Sequence, residues 1–322
     1  MRVVIPGGSG QVGTILARDF HHEGHEVVVL SRRPQTGAWR FVEWDGATLG
    51  AWQREIDGAD VVINLAGRSV NCRYTAANRH EILQSRIAST RAIGEAIGRA
   101  SRPPRVWLQA STATIYAHRY DSPNDEYSGI LGGDEPGAPD AWRFSIDVAR
   151  AWERAFEEAV TDGIRKVALR SAMTLSPDPG GVFDTLLGLV RHGLGGSAGD
   201  GRQFISWIHH EDFIAAVRWL IDRDDIDGAV NVAAPNPLSN AEFMQALREA
   251  CGVRLGLPAK KWMLEIGAVF MRTETELILK SRRVVPARLL EQGFKFKYPE
   301  WRAAARDLCR QSAVARVEAS AA

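Results

Sequence analysis

The chain has 322 residues, 45% of them hydrophobic and 25% charged, and a formal net charge of +1. This is the balance of a globular protein with enough apolar side chain for a large core. It gives no footing for a nucleic-acid partner, and no run approaches the ~18 consecutive apolar residues of a membrane span.

The opening segment breaks at Pro6-Gly7, too early for a signal peptide, so the expected location is cytoplasmic. Cys72, Cys251 and Cys309 are far apart and odd in number. They form no metal-ligand spacing and no disulfide framework, and no metal is expected.

In chain order, apolar runs at Arg2–Pro6, Glu26–Leu30, Arg40–Trp44, Val61–Leu65, Arg105–Ala110 and Lys166–Arg170 predict strands. Their nearly continuous apolar character suits a parallel sheet buried on both faces. Helical patterns fall near 11–23, 75–100 and 141–160. Residues 119–140, rich in Gly, Pro and Asp, predict a long surface loop of the kind that serves as a lid. Beyond Arg170, helices are predicted near 182–192, 211–223, 239–251, 261–270 and 286–292, with a short strand at Ala229–Val232.

Strand–helix alternation of this kind predicts an α/β fold: a Rossmann-type doubly wound parallel sheet with a smaller, mostly helical C-terminal lobe. The expected division is a dinucleotide-binding domain over 1–175, a substrate lobe over 176–310 and a disordered tail over 311–322.

The strongest chemical signal is Gly7-Gly8-Ser9-Gly10-Gln11-Val12-Gly13, which follows a strand and opens a helix. Gly7 permits the tight turn, Gly10 a close approach to pyrophosphate, and Gly13 close packing of the helix. The helix start at Gln11 and Val12 offers free N–H donors and the positive end of the dipole. The second strand ends at Ser31-Arg32-Arg33, where an NAD site usually has an acidic residue. Guanidinium groups there would bind a 2′-phosphate, so NADP(H) is the expected cofactor.

These residues resemble the extended short-chain dehydrogenase/reductase superfamily, and in particular its atypical branch of "epimerase family proteins". The resemblance extends over about residues 1–308. It also rests on Asn64-Leu65-Ala66-Gly67, Ser85-Arg86-Ile87, Ser111-Thr112-Ala113-Thr114-Ile115-Tyr116, Gly193–Gly196, Gly201–His209 and Lys280–Leu290. The last of these resembles the C-terminal domain of unknown function that marks the branch.

The resemblance implies that Leu65, Ala66 and Gly67 line the cofactor. Among the arginines between Arg68 and Arg119, read mostly as solvated helix faces, Arg86 is the exception, expected at the cofactor. It implies that Thr112 takes the place of the superfamily's catalytic Ser or Thr. The superfamily's Tyr-x-x-x-Lys pair is absent: no Tyr is followed four residues later by Lys, and the aligned helix has Phe144 and Val148. Phe144, Val148, Trp152 and Phe156 form an apolar stripe. Tyr116 and Tyr127, beyond the fifth strand, are the leading candidates for a relocated proton donor.

Two functions are carried forward. One is an NADP(H)-dependent oxidoreductase or epimerase acting on a small molecule, as a monomer or homodimer. The other is a non-catalytic NADPH-binding sensor or scaffold.

Overall fold

The computed structural model describes residues 1–33, 35–135, 138–260, 263 and 274–321. Seven parallel strands form the central sheet: β1 (Arg2–Pro6), β2 (Glu26–Ser31), β3 (Arg40–Glu43), β4 (Val61–Asn64), β5 (Val106–Thr112), β6 (Arg165–Ser171) and β10 (Gly228–Val232). Their order is β10-β6-β5-β4-β1-β2-β3. The chain winds outward in opposite directions from β1 and β4, so the crevice at the carboxyl ends of those strands is the expected ligand position.

Period-two burial sends alternate residues of each strand into different layers. Val3 and Ile5 face α1 (Gln11–His22) and α5 (His210–Asp222), meeting Leu16, Phe20, Phe213 and Leu220. Val4 faces the other way, toward α2 (Ala76–Arg99) and α3 (Asp140–Glu157), with Ile93, Ile97, Trp107 and Phe156.

A separate core joins α4 (Val182–Arg191), α6 (Asn240–Ala250) and the C-terminal helix Trp301–Ala321. There Trp301 stacks on Phe243 with ring centroids 4.1 Å apart. Short strands complete the lobe: β7 (Met173–Leu175) pairs with β9 (Trp207–His209), and β8 (Phe204–Ile205) with β11 (Leu238–Ser239).

Three expectations are corrected. The strand read at Ala229–Val232 is the seventh strand of the main sheet, paired with β6, not part of a separate lobe. With α5 also packed on that sheet, the two halves interleave beyond residue 175. The tail expected to be disordered from residue 311 continues the terminal helix to Ala321. Trp301, Ala304, Ala305, Leu308 and Ser312 repeat at helical spacing and are buried, and no helix breaker follows them.

The loop at 119–140 is not a free lid. Asn124 is fully buried, its N–H donates to the Arg283 carbonyl at 2.7 Å, and its carbonyl accepts from Val285 N–H at 3.0 Å. The helix predicted at 261–270 lies outside the described residues apart from Met263. No described helix is long and apolar enough to cross a membrane.

Candidate active site

The nucleotide side is made of backbone. Gly7 has a φ of +74°, and a Cβ there would stand 2.6 Å from Ala66 Cα. This close approach joins the turn after β1 to the Leu65–Gly67 segment after β4. A Cβ on Gly13 would stand 2.3 Å from Gly8 Cα, so the third glycine seats the helix on the turn itself. Gly10 is the N-cap of α1 and supplies no side-chain cap, leaving the first amides of the helix available. Gln11 packs against Gly181, and its amide Nε2 is buried without a hydrogen-bond partner.

At the end of β2, Ser31 Oγ lies 3.0 Å from Ser9 Oγ and accepts from Arg33 N–H at 3.3 Å. Arg32 and Arg33 are exposed, and no described carboxylate pairs with either. Leu65 N–H donates to the Pro6 carbonyl at 2.8 Å, and Ala66 N–H to Asn64 Oδ1 at 3.1 Å. Arg86 runs beneath Gly67, its guanidinium 4.9 Å from the Trp152 ring, and donates to the Arg68 and Ile82 carbonyls. Burial lowers its pKa to about 10, and attraction to Tyr74 opposes that shift.

The opposite side is made of side chains from distant segments. Thr112 ends β5, and its Oγ1 accepts from Thr114 N–H at 3.1 Å. Thr114 Oγ1 accepts from Arg282 Nε at 3.0 Å, and its carbonyl from Lys280 Nζ at 2.7 Å. Arg282 pairs with Glu276 at 2.8 Å, and the other oxygen of Glu276 accepts from Ser145 Oγ at 2.9 Å. Ser145 Oγ is 3.4 Å from the Tyr74 hydroxyl.

Lys280 and Glu276 are each 1% exposed. Burial, with repulsion from Arg282, brings Lys280 down to about 7, against the pull of Glu276 and Glu135. Burial, then Glu276, pushes the Tyr74 phenol up to about 12. Its ring meets Phe144 edge-on at 5.0 Å and shares an apolar cluster with Val148. A phenol from the segment before α2 therefore stands beside Phe144 and Val148.

Tyr116 lies elsewhere. It is 2% exposed, donates to Asn231 Oδ1 at 2.9 Å and accepts from Arg170 Nη1 at 2.9 Å. Arg170 forms a two-pronged pair with Glu153 at 2.9 and 2.7 Å, and Glu153 accepts from Ser111 Oγ at 2.5 Å. Desolvation opposes the charge of Arg170, but Glu153 outweighs it and raises the pKa. Burial likewise raises Tyr116, only partly offset by Arg170. The expected proton donor is thus an anchor in a buried polar network, since both of its hydroxyl bonds are internal. Tyr127 is 63% exposed and bonded to Glu291.

Sequence reading missed Tyr74, Ser145 and Glu276. Their side chains converge from three segments, and no local spacing announces them. His209, His210 and Glu211 place ligand atoms within 4.8 Å of one another. His209 Nδ1 is already used by Glu211 N–H at the start of α5, and Glu211 pairs with Lys297 at 2.5 Å.

Strand order, glycine turn and the hydroxyl at the end of β5 together define a dinucleotide-dependent fold of the epimerase and dehydrogenase type. The chain belongs to the NAD dependent epimerase/dehydratase family, which it matches over residues 3–233, and residues 261–308 match a domain of unknown function, DUF1731. It is 30% identical over 311 residues to the human epimerase family protein SDR39U1, covering 96% of this chain and 99% of that protein. It is also 30% identical over 305 residues to the epimerase family protein YfhF of Bacillus subtilis, covering 93% and 95%. The crystal structure of human SDR39U1 (isoform 2) with NADPH superimposes with a TM-score of 0.82 at 31% identity, covering 96% of this chain and 99% of that one.

Proposed function

We propose that the chain is an NADP(H)-dependent oxidoreductase acting on a small carbonyl or alcohol compound. The observation that carries this reading is the pairing of an uncapped helix start at Gly10 with unpaired guanidinium groups at the end of β2. The orphaned Gln11 Nε2 beside that turn fits a bound partner. The nucleotide would be held by Gly7, Gly10, Gln11, Val12 and Gly13 at the pyrophosphate, and by Ser31, Arg32 and Arg33 at the 2′-phosphate. Leu65, Ala66, Gly67 and Arg86 would lie along its length. The human relative crystallised with NADPH supports the choice of cofactor.

Bound there, the cofactor supplies a hydride. The chain's own task is to orient a substrate oxygen and to protonate it. Thr112 at the end of β5 offers the orienting hydroxyl. Tyr74 takes the donor role first sought in Tyr116. A phenol held up to about 12 keeps its proton through the neutral range, which suits delivery to an oxygen gaining negative charge rather than abstraction from an alcohol. Ser145, bonded in turn to Glu276, stands beside the phenol and orients its hydroxyl.

Calorimetric titration with NADPH and NADH, followed by NADPH oxidation against a panel of carbonyl compounds, tests the reading. NADPH is expected to bind more tightly, and Arg32→Ala/Arg33→Ala to lose roughly 1.5–3 kcal/mol of that preference. Tyr74→Phe is expected to abolish reduction while leaving NADPH affinity intact. Equal affinities for the two cofactors would overturn the cofactor assignment.

A non-catalytic NADPH-binding role is the second reading, favoured by Phe144 and Val148 where the superfamily has its proton-transfer pair. It prevails if NADPH binds and no carbonyl compound in the panel is reduced.

A further inference from the structure

Cys251 and Cys309 are separated by 58 positions, yet their sulfur atoms lie 3.0 Å apart. Cys251 caps the end of α6, and Cys309 sits on the C-terminal helix. Both are free thiols and partly exposed. They open onto a surface cleft of about 440 Å³ that is also lined by Arg191, Arg306 and Arg310. Arg310 pairs with Asp307, whereas no described carboxylate pairs with Arg191 or Arg306. Two adjoining thiols in an electropositive, solvent-reached cleft make a reactive environment, unlike the apolar burial that keeps structural cysteines inert.

We propose that Cys251 and Cys309 form a dithiol site that takes a small anionic disulfide and is converted by it to an intramolecular disulfide. One of the two sulfurs, as the thiolate, attacks one sulfur of the incoming disulfide, whose S–S bond breaks and releases one thiolate. The other sulfur then loses its proton and attacks the one that carries the adduct, expelling the second thiolate. Two protein thiols are oxidised, one small disulfide is reduced to two thiols, and the two protons lost by the protein end on them.

Either sulfur can donate the shared S–H bond, which leaves its partner the thiolate. At 3.0 Å each is within reach to resolve an adduct formed on the other. Arg191 and Arg306 attract the carboxylates of the incoming molecule. The resulting bond ties α6 to the C-terminal helix and closes a loop containing Glu276, Lys280 and Arg282.

The test uses the full-length reduced protein, incubated with glutathione disulfide or with neutral 2-hydroxyethyl disulfide, then alkylated, digested and mapped by mass spectrometry. The expected product has lost two hydrogen atoms, carries a 251–309 cross-link that dithiothreitol reverses, and leaves Cys72 alkylated. The anionic reagent is expected to react several-fold faster, with the advantage shrinking in high salt and in Arg306→Gln. Cys309→Ser is expected to stop at a stable glutathione adduct on Cys251. The cross-linked protein should melt about 5 °C higher than the reduced form. An adduct that persists unresolved in the wild type, oxidation confined to Cys72, or equal rates with the two reagents would each overturn the proposal.

Discussion

The two sides of the candidate site are built on different principles. The nucleotide side uses backbone held by glycines and by strand ends, and its central turn spans only Gly7–Gly13. The substrate side uses charged and hydroxyl side chains brought together across separations as large as 168 positions, as between Thr114 and Arg282. The first needs absent side chains, and its geometry is enforced by steric exclusion. The second needs present ones, and its geometry depends on every polar atom finding its partner. Substitutions should therefore fail differently on the two sides.

The largest effect is expected in the network behind the substrate side. Arg170→Met leaves Glu153 buried and unpaired, which should cost about 3–5 kcal/mol in urea unfolding. Double replacement with Glu153→Gln should recover part of that loss. If Arg170→Met is neutral, the ion pair does not hold this side together.

Lys280 should give an effect of up to roughly 5 kcal/mol that depends on pH. Its folded pKa, about 7, lies below its unfolded value. The unfolded chain therefore binds more protons between about pH 7 and 10.5, and stability from this group rises with pH across that window. Lys280→Met should lack this rise. Its stability relative to wild type should be greatest near pH 7 and decline toward pH 10, and parallel curves would show that Lys280 is not held near neutrality.

The smallest effect on stability is expected on the nucleotide side. A methyl group on Gly13 would meet Gly8 backbone at 2.3 Å, so Gly13→Ala should cost about 1–3 kcal/mol as α1 shifts. Its signature is loss of nucleotide affinity in calorimetry out of proportion to the change in melting temperature. If affinity and stability fall together, the two sides do not differ in the way described.

The same contrast decides what the sequence could reveal. The glycine turn is contiguous and its residue types have few alternative uses, so Gly7, Gly10, Gly13 and the Arg32-Arg33 pair can be read from one stretch of chain. Strand identities are legible because burial on both faces leaves uninterrupted apolar runs. Tyr74 carries no such mark: its neighbours Phe144 and Ser145 lie 70 and 71 positions away, and a lone tyrosine before a helix reads as surface. Tyr116 misleads for the opposite reason. Its place after β5 suggests substrate, but β10 enters the main sheet and supplies Asn231 to fix its hydroxyl.

The bridging of Asn124 by Arg283 and Val285 has a consequence for the order in which the protein is made. The parallel strands that frame the glycine turn are complete once Ser171 has been synthesised. Asn124, Thr114 and Ser145 must wait for a partner segment that emerges more than 130 residues after any of them. A chain on the ribosome can thus assemble its nucleotide half early, while Asn124 and the hydroxyls of Thr114 and Ser145 stay in water. Long-range closure of this kind is slow, and it places the final folding step at the substrate side.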